Sequence, residues 1–230
     1  HDRHFFHDQA ELVAGAVQPP RLDLFNRELL ITHLNALAIS EIGLPSLDAE
    51  GGHQASLKTL VDMEATGMPL AIAVREGLRI PEKKFGEIKA CFRRAIGDFA
   101  ADLGEKAPWF NETWIDTTLS RLADHLDESL GRWRKLFQVA KSTRTRDTAR
   151  IDSGTLVATS DEYKRLVRQV TQSTRQINLL LNELGPRSSN LSEFYPYRYL
   201  ASEGFLPGYN FTRLPLRIFI EAGKSSGNFI

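Results

Sequence analysis

The densest chemistry in this sequence is a run of cations. Arg132, Arg134, Lys135, Lys141, Arg144, Arg146 and Arg150 follow closely, opposed between those limits only by Asp147. Lys164, Arg165 and Arg168 come next. Concentrated Arg and Lys suit a phosphate backbone, because each neutralised phosphate releases condensed counterions. Such contacts grip phosphates and carry no base information, so binding of this kind is salt-sensitive and nearly sequence-blind. The same run also describes the solvated end of a helical hairpin, since charged helix ends are commonplace. The whole chain gives no lead: Lys plus Arg and Asp plus Glu each total 29.

Other chemistries lack their residues. Gly223-Lys224-Ser225 resembles the end of a phosphate loop, but its leading glycine would fall at Ile218. Asp127-Glu128 sits inside an expected helix, not at a strand end where a carboxylate pair would hold magnesium. No zinc motif, nucleophile elbow or dinucleotide fingerprint occurs. His1, His4 and His7 would share a helix face, yet no cap or apolar period supports a helix there. His33 reads as a hydrogen-bonded histidine at the core edge. The single cysteine, Cys91, excludes an internal disulfide and falls on an apolar helix face. The residues therefore describe a chain with no catalytic residue, metal site or cofactor of its own.

A second concentration is aromatic. Phe194, Tyr195, Tyr197, Tyr199, Phe205, Tyr209 and Phe211 lie among Pro196, Gly204, Pro207, Gly208 and Pro215. So many breakers exclude one regular helix or strand, whereas rigid rings can order a loop at low entropic cost. Flanked by Arg198 and Arg213, these rings could stack single-stranded bases. Fixed by Pro and Gly, they suit better a wedge against a neighbouring domain, with Tyr195, Tyr197, Tyr199, Phe205, Tyr209 and Phe211 as the interface.

Helices must position both features. Asn26 caps a helix carrying Leu30, Leu34, Leu37 and Ala38, which ends at Gly43 and Pro45. Ser56 caps a short helix through Leu57 and Leu60, and PLAIAVREGLRI reads as strand-like or as a helix start. Pro81-Glu82 opens a helix whose stripe runs Phe85, Ile88, Phe92, Ile96, Phe99 and Leu103, stopped by Gly104 and Pro108. Asn111 opens the longest element, to about Ala140, with an a/d seam of Leu119, Leu122, Leu126, Leu130, Trp133, Phe137 and Ala140. Its partner runs from Asp161 to Leu184 behind Ser160, with Lys141 to Thr159 as a long polar tip. Alternatively these seams pack on other helices of a bundle.

The expected fold is thus mainly α, a helical bundle with a long antiparallel hairpin and irregular terminal segments. One domain covers 1–230: a first helix within 1–55, short helices in 56–110, the hairpin in 111–184 and the aromatic region in 185–230. No apolar run approaches the ~20 residues a bilayer span needs, so no membrane partner is expected. A lone cysteine fits a cytoplasmic setting, and the sequons at Asn111, Asn190 and Asn210 read as chance. Starting at His1 and ending in GKSSGNFI, the sequence reads as a piece of a longer protein.

Two blocks carry a resemblance. ELVAGAVQPPRLDLFNRELLITHLNALAISEIG, Glu11 to Gly43, resembles the segment after the second motor domain of large bacterial superfamily 2 helicases of DEAD/DEAH type. EFYPYRYLASEGFLPGYNFTRLPL, Glu193 to Leu216, resembles a block further along the same proteins, which include a phage-defence helicase subunit. The resemblance implies a parent that hydrolyses ATP with magnesium and moves on DNA. It implies for this piece an accessory domain that buttresses the motor domains of the same chain, guides DNA or docks a partner subunit. No catalytic residue is carried over. Two rivals stand beside it: a module that recruits a partner subunit through its helical seams, and an enzyme centred near His33 and the N-terminal histidines His1, His4 and His7.

Overall fold

Asn26 begins the first helix as its sequence requires, its Oδ1 accepting from Leu29 N at 3.2 Å. The computed structural model describes residues 25–44, 47, 56–97, 99–181 and 194–208. The N-terminal histidines, the GKSSGNFI end, Arg213, Tyr209 and Phe211 lie outside the described residues, as do the expected irregular ends.

Helix α1 (Arg27–Ile42) is followed by a 3-10 turn (Leu57–Leu60), α2 (Ile72–Gly77), α3 (Glu82–Ile96) and α4 (Phe99–Lys106). Then come α5 (Glu112–Ser120), α6 (Leu122–Ser129), α7 (Gly131–Asp152), α8 (Asp161–Leu180) and α9 (Pro196–Ser202). Among the described residues the only β pairing is one antiparallel bridge, Val61 with Leu70. The chain is mainly helical, as expected. The strand-like run resolves into that bridge and α2.

Three boundaries differ from the sequence reading, each for a local reason. The helix opened by Pro81 breaks at Gly97, which sits at φ +49, a left-handed cap that the unbroken stripe concealed. The long helix from Asn111 is bent into α5, α6 and α7. Just before the first bend, the hydroxyls of Thr117, Thr118 and Ser120 donate to the carbonyls of Thr113, Trp114 and Asp116. Back-bonding of this kind bends helices. Ser129 Oγ donates to Leu126 O at 2.7 Å immediately before the second bend. The seam survives both bends, because its members from Leu119 to Ala140 (Leu122, Leu126, Leu130, Trp133 and Phe137 between them) stay buried.

The third difference is the tip. Helix α7 continues to Asp152 through the segment expected to be a loop, since no Gly or Pro interrupts it before Gly154. Gly154, at φ +68, then ends it, and Ser160 opens α8 by accepting from Tyr163 N at 3.2 Å. The antiparallel hairpin is present, with a tip of only 153–160.

One contiguous core joins α1 (Leu30, Leu34, Ala38), the 3-10 turn, α3, α5, α6, the first half of α7, the end of α8 and α9. Its outermost hairpin members are Ala140 on α7 and Ile177 on α8. Beyond them the two helices pack mainly on each other. There Leu166 is buried although it lies outside the core, so the distal half of the hairpin forms an arm with its own narrow seam.

Candidate nucleic-acid interface

The arm is held at its root by side chains from distant segments. Trp133, stacked on Phe137 with ring centroids 5.5 Å apart, donates from Nε1 to Leu180 O at 2.9 Å. Ser56 Oγ donates to Leu181 O at 2.6 Å. Two carbonyls at the C-terminal end of α8 are thereby given side-chain donors. The Tyr199 hydroxyl accepts from Trp133 N at 2.9 Å and donates to Ser129 O at 3.1 Å. One hydroxyl thus caps the start of α7 and the end of α6 across the bend. Burial pushes its pKa up to about 12, so it remains protonated and able to donate.

This geometry sorts the sequence-predicted cations into two groups. Arg134, only 14% exposed, donates to Met68 O, Asp127 O and Asp127 Oδ1. It locks the 61–70 turn onto α6, with all three guanidinium nitrogens engaged inside the chain. Arg132 donates from Nε to Glu203 at 2.6 Å and lies over the Tyr199 ring at 5.2 Å. Arg150 pairs with Glu162 across the tip. Arg146 donates to Asp147 Oδ1 at 2.9 Å, and the Asp147 side chain is 3% exposed. Asp147 Oδ2 has no hydrogen-bond partner among the described residues.

The second group faces solvent without carboxylate partners among the described residues. Lys135 and Lys141 are exposed on α7, and Arg144 is half-buried there. Lys164, Arg165 and Arg168 are exposed on α8. The structure adds Arg175, which the sequence reading passed over. Lys164, Arg168 and Arg175 are spaced four and seven apart, which places them in one line down the side of α8 opposite buried Leu166. That spacing was the available signal. From Tyr163 to Leu180 the helix carries no acidic residue, so nothing on α8 neutralises this face.

The aromatic segment is not the irregular loop expected. Pro196 occupies the first turn of α9, where its fixed φ suits a helix start. Tyr199 and Phe205 are buried in this chain's own core, at 0% and 1% exposure. Tyr195 and Tyr197 are half-buried, with rings 6.2 Å apart. Tyr199 and Phe205 therefore fill the bundle from within, and the hydroxyl of Tyr199 fixes the arm's root.

A polar cleft of about 470 Å³ opens between α1, α6 and the turn after α9. Asn35, 1% exposed, donates to Phe205 O at 3.1 Å, and its Oδ1 lies 3.3 Å from His125 Nδ1. Since that amide oxygen can only accept, Nδ1 carries the proton of the neutral ring. Burial, followed by the nearby Arg121 charge, holds the His125 pKa below its ordinary value. Cleft residues Arg121 and Glu128 are paired at 3.2 Å. His33 on α1 is half-buried and likewise held low by burial. Among the described residues no group of His, Cys, Asp or Glu is arranged to hold a metal ion. None of these helices is long and apolar enough to cross a membrane.

No family model, curated protein or solved structure matches this chain.

Proposed function

We propose that this chain is an accessory domain of a superfamily 2 ATP-dependent helicase, and that its α7–α8 arm contacts the phosphate backbone of DNA. The helicase assignment rests on the two blocks at Glu11–Gly43 and Glu193–Leu216, which resemble the post-motor region of those enzymes. ATP and magnesium then belong to the parent's motor domains, and the arm supplies positive potential beside the strand they move. A cytoplasmic location follows from the same assignment.

The observation that carries the DNA contact is the outward face of α8. Lys164, Arg165, Arg168 and Arg175 are exposed there, on a helix with no acidic residue after its first turn. Partner docking through the heptad seam has less support. Leu119, Leu122, Leu126, Leu130 and Trp133 are buried inside this chain, so a partner's helix would first have to open the fold.

The test is fluorescence anisotropy of the chain with labelled DNA across a salt series. Each phosphate contact on a duplex contributes about −0.9 to the slope of log K against log salt. The triple variant Lys164→Glu, Arg168→Glu, Arg175→Glu should weaken binding by more than about tenfold and flatten that slope. An unchanged affinity in this variant refutes the assignment.

A further inference from the structure

We propose that the outward face of α8 enters the major groove of B-form DNA, so that the preferred ligand of the arm is duplex DNA. The inference rests on the phosphate-contact reading above and deepens it. It begins from what stands between the cations. Lys164, Arg165, Arg168, Thr171, Gln172 and Arg175 are all exposed. Exposed side chains on α8 from Lys164 to Arg175 are these six and Val167, with no acidic residue among them. Such a set is unusual for a merely solvated helix, where acidic residues normally alternate with basic ones. It is the set of side chains that meets base edges: Arg on guanine, Gln on adenine and a Thr methyl on the thymine methyl.

Local geometry favours that use. Thr171 Oγ1 donates back to Val167 O at 2.9 Å, which leaves its methyl as the group offered outward. Gln172 makes no hydrogen bond within the described residues, so its amide has both donor and acceptor free. From Lys164 to Arg175 the helix rises about 16 Å at ~1.5 Å per residue. The major groove is about 12 Å wide. A helix lying across it therefore sets Lys164 and Arg175 at the two phosphate walls. Arg168, Thr171 and Gln172 then lie over the floor.

The arm also has the right shape. Its distal half lies outside the core, and among the described residues α8 is backed there by α7, which leaves the outer side of α8 open to a duplex. The same argument selects DNA over duplex RNA. The A-form major groove is too deep and narrow for a helix to enter, whereas phosphate-only contact would be indifferent to helical form.

The experiment compares the chain's anisotropy on one sequence as duplex DNA, single-stranded DNA and duplex RNA at matched salt. Groove entry predicts that duplex DNA binds more tightly than the other two by about tenfold or more. Replacing guanine by 7-deazaguanine removes the groove acceptor N7 and should weaken duplex binding by about fivefold or more. Gln172→Ala, an exposed change that leaves the cations in place, should relax base preference in a selection from randomised duplexes while keeping the salt slope. Equal affinity for all three ligands, insensitive to 7-deazaguanine, overturns groove entry and leaves a phosphate ridge. Absence of binding to any of them overturns both readings. Circular dichroism melts of each variant confirm that the fold is retained.

Discussion

Tyr199 shows how much a single atom can organise. Its hydroxyl receives the Trp133 amide and donates to the Ser129 carbonyl, both buried. Tyr199→Phe keeps the ring and leaves both backbone groups without their partner, which costs about 1–3 kcal/mol. Chemical denaturation should show a lower midpoint with an unchanged helical spectrum. His125 and His33 contribute to the pH dependence of stability near neutrality. Both have folded pKa values depressed by burial, so the unfolded chain takes up protons first as pH falls. Stability is full above the unfolded value near 6.5 and declines as pH drops below it. Midpoints measured between about pH 7.5 and 5.5 should fall, and the double variant His33→Gln, His125→Gln should flatten the trend. Individual residues were only partly legible in the sequence. Asn26, Asn111 and Ser160 announced themselves as caps by type and position. Arg134 looked identical to the other cations, because nothing local marks a guanidinium that reaches Met68, 66 positions away.

At the scale of elements, helix existence was readable from apolar stripes, while bends and ends depended on subtler groups. The break at Gly97 and the hydroxyls before Arg121 were visible as letters. Their effect depended on backbone conformation and on bonds to carbonyls four residues back. The polar stretch after Ala140 misled for a different reason. A two-helix arm needs only a narrow seam, so a helix there can be polar around most of its circumference. That thin seam has a measurable consequence. Leu166→Ala removes the one fully buried leucine of the arm outside the core and should cost about 2–4 kcal/mol locally. Hydrogen exchange should quicken in the distal halves of α7 and α8, while amides around Leu34, Phe92 and Leu126 keep their protection.

For the whole molecule, the body and the arm differ in how they are stabilised. The body closes one core from α1 through α9, and that core ends on the hairpin at Ala140 and Ile177. Excising 142–171 and joining the cut ends through a short glycine-rich turn should therefore leave a cooperative thermal transition. The excised chain should lose DNA affinity to the level of the charge-reversed triple variant. Retained affinity would move the contact to the body. The composition could not disclose this division, since the positive arm and the rest of the chain balance to a net charge of zero.

The staples at the arm's base also impose an order on synthesis. Ser56 waits 125 positions for the Leu181 carbonyl, and the Trp133 amide waits 66 for the Tyr199 hydroxyl. While the chain is emerging from a ribosome, α7 and α8 can zip together from their tip long before α9 exists. Their angle to the body stays unset until the tyrosine arrives. The direction in which the arm points is thus decided only once Tyr199 has been made.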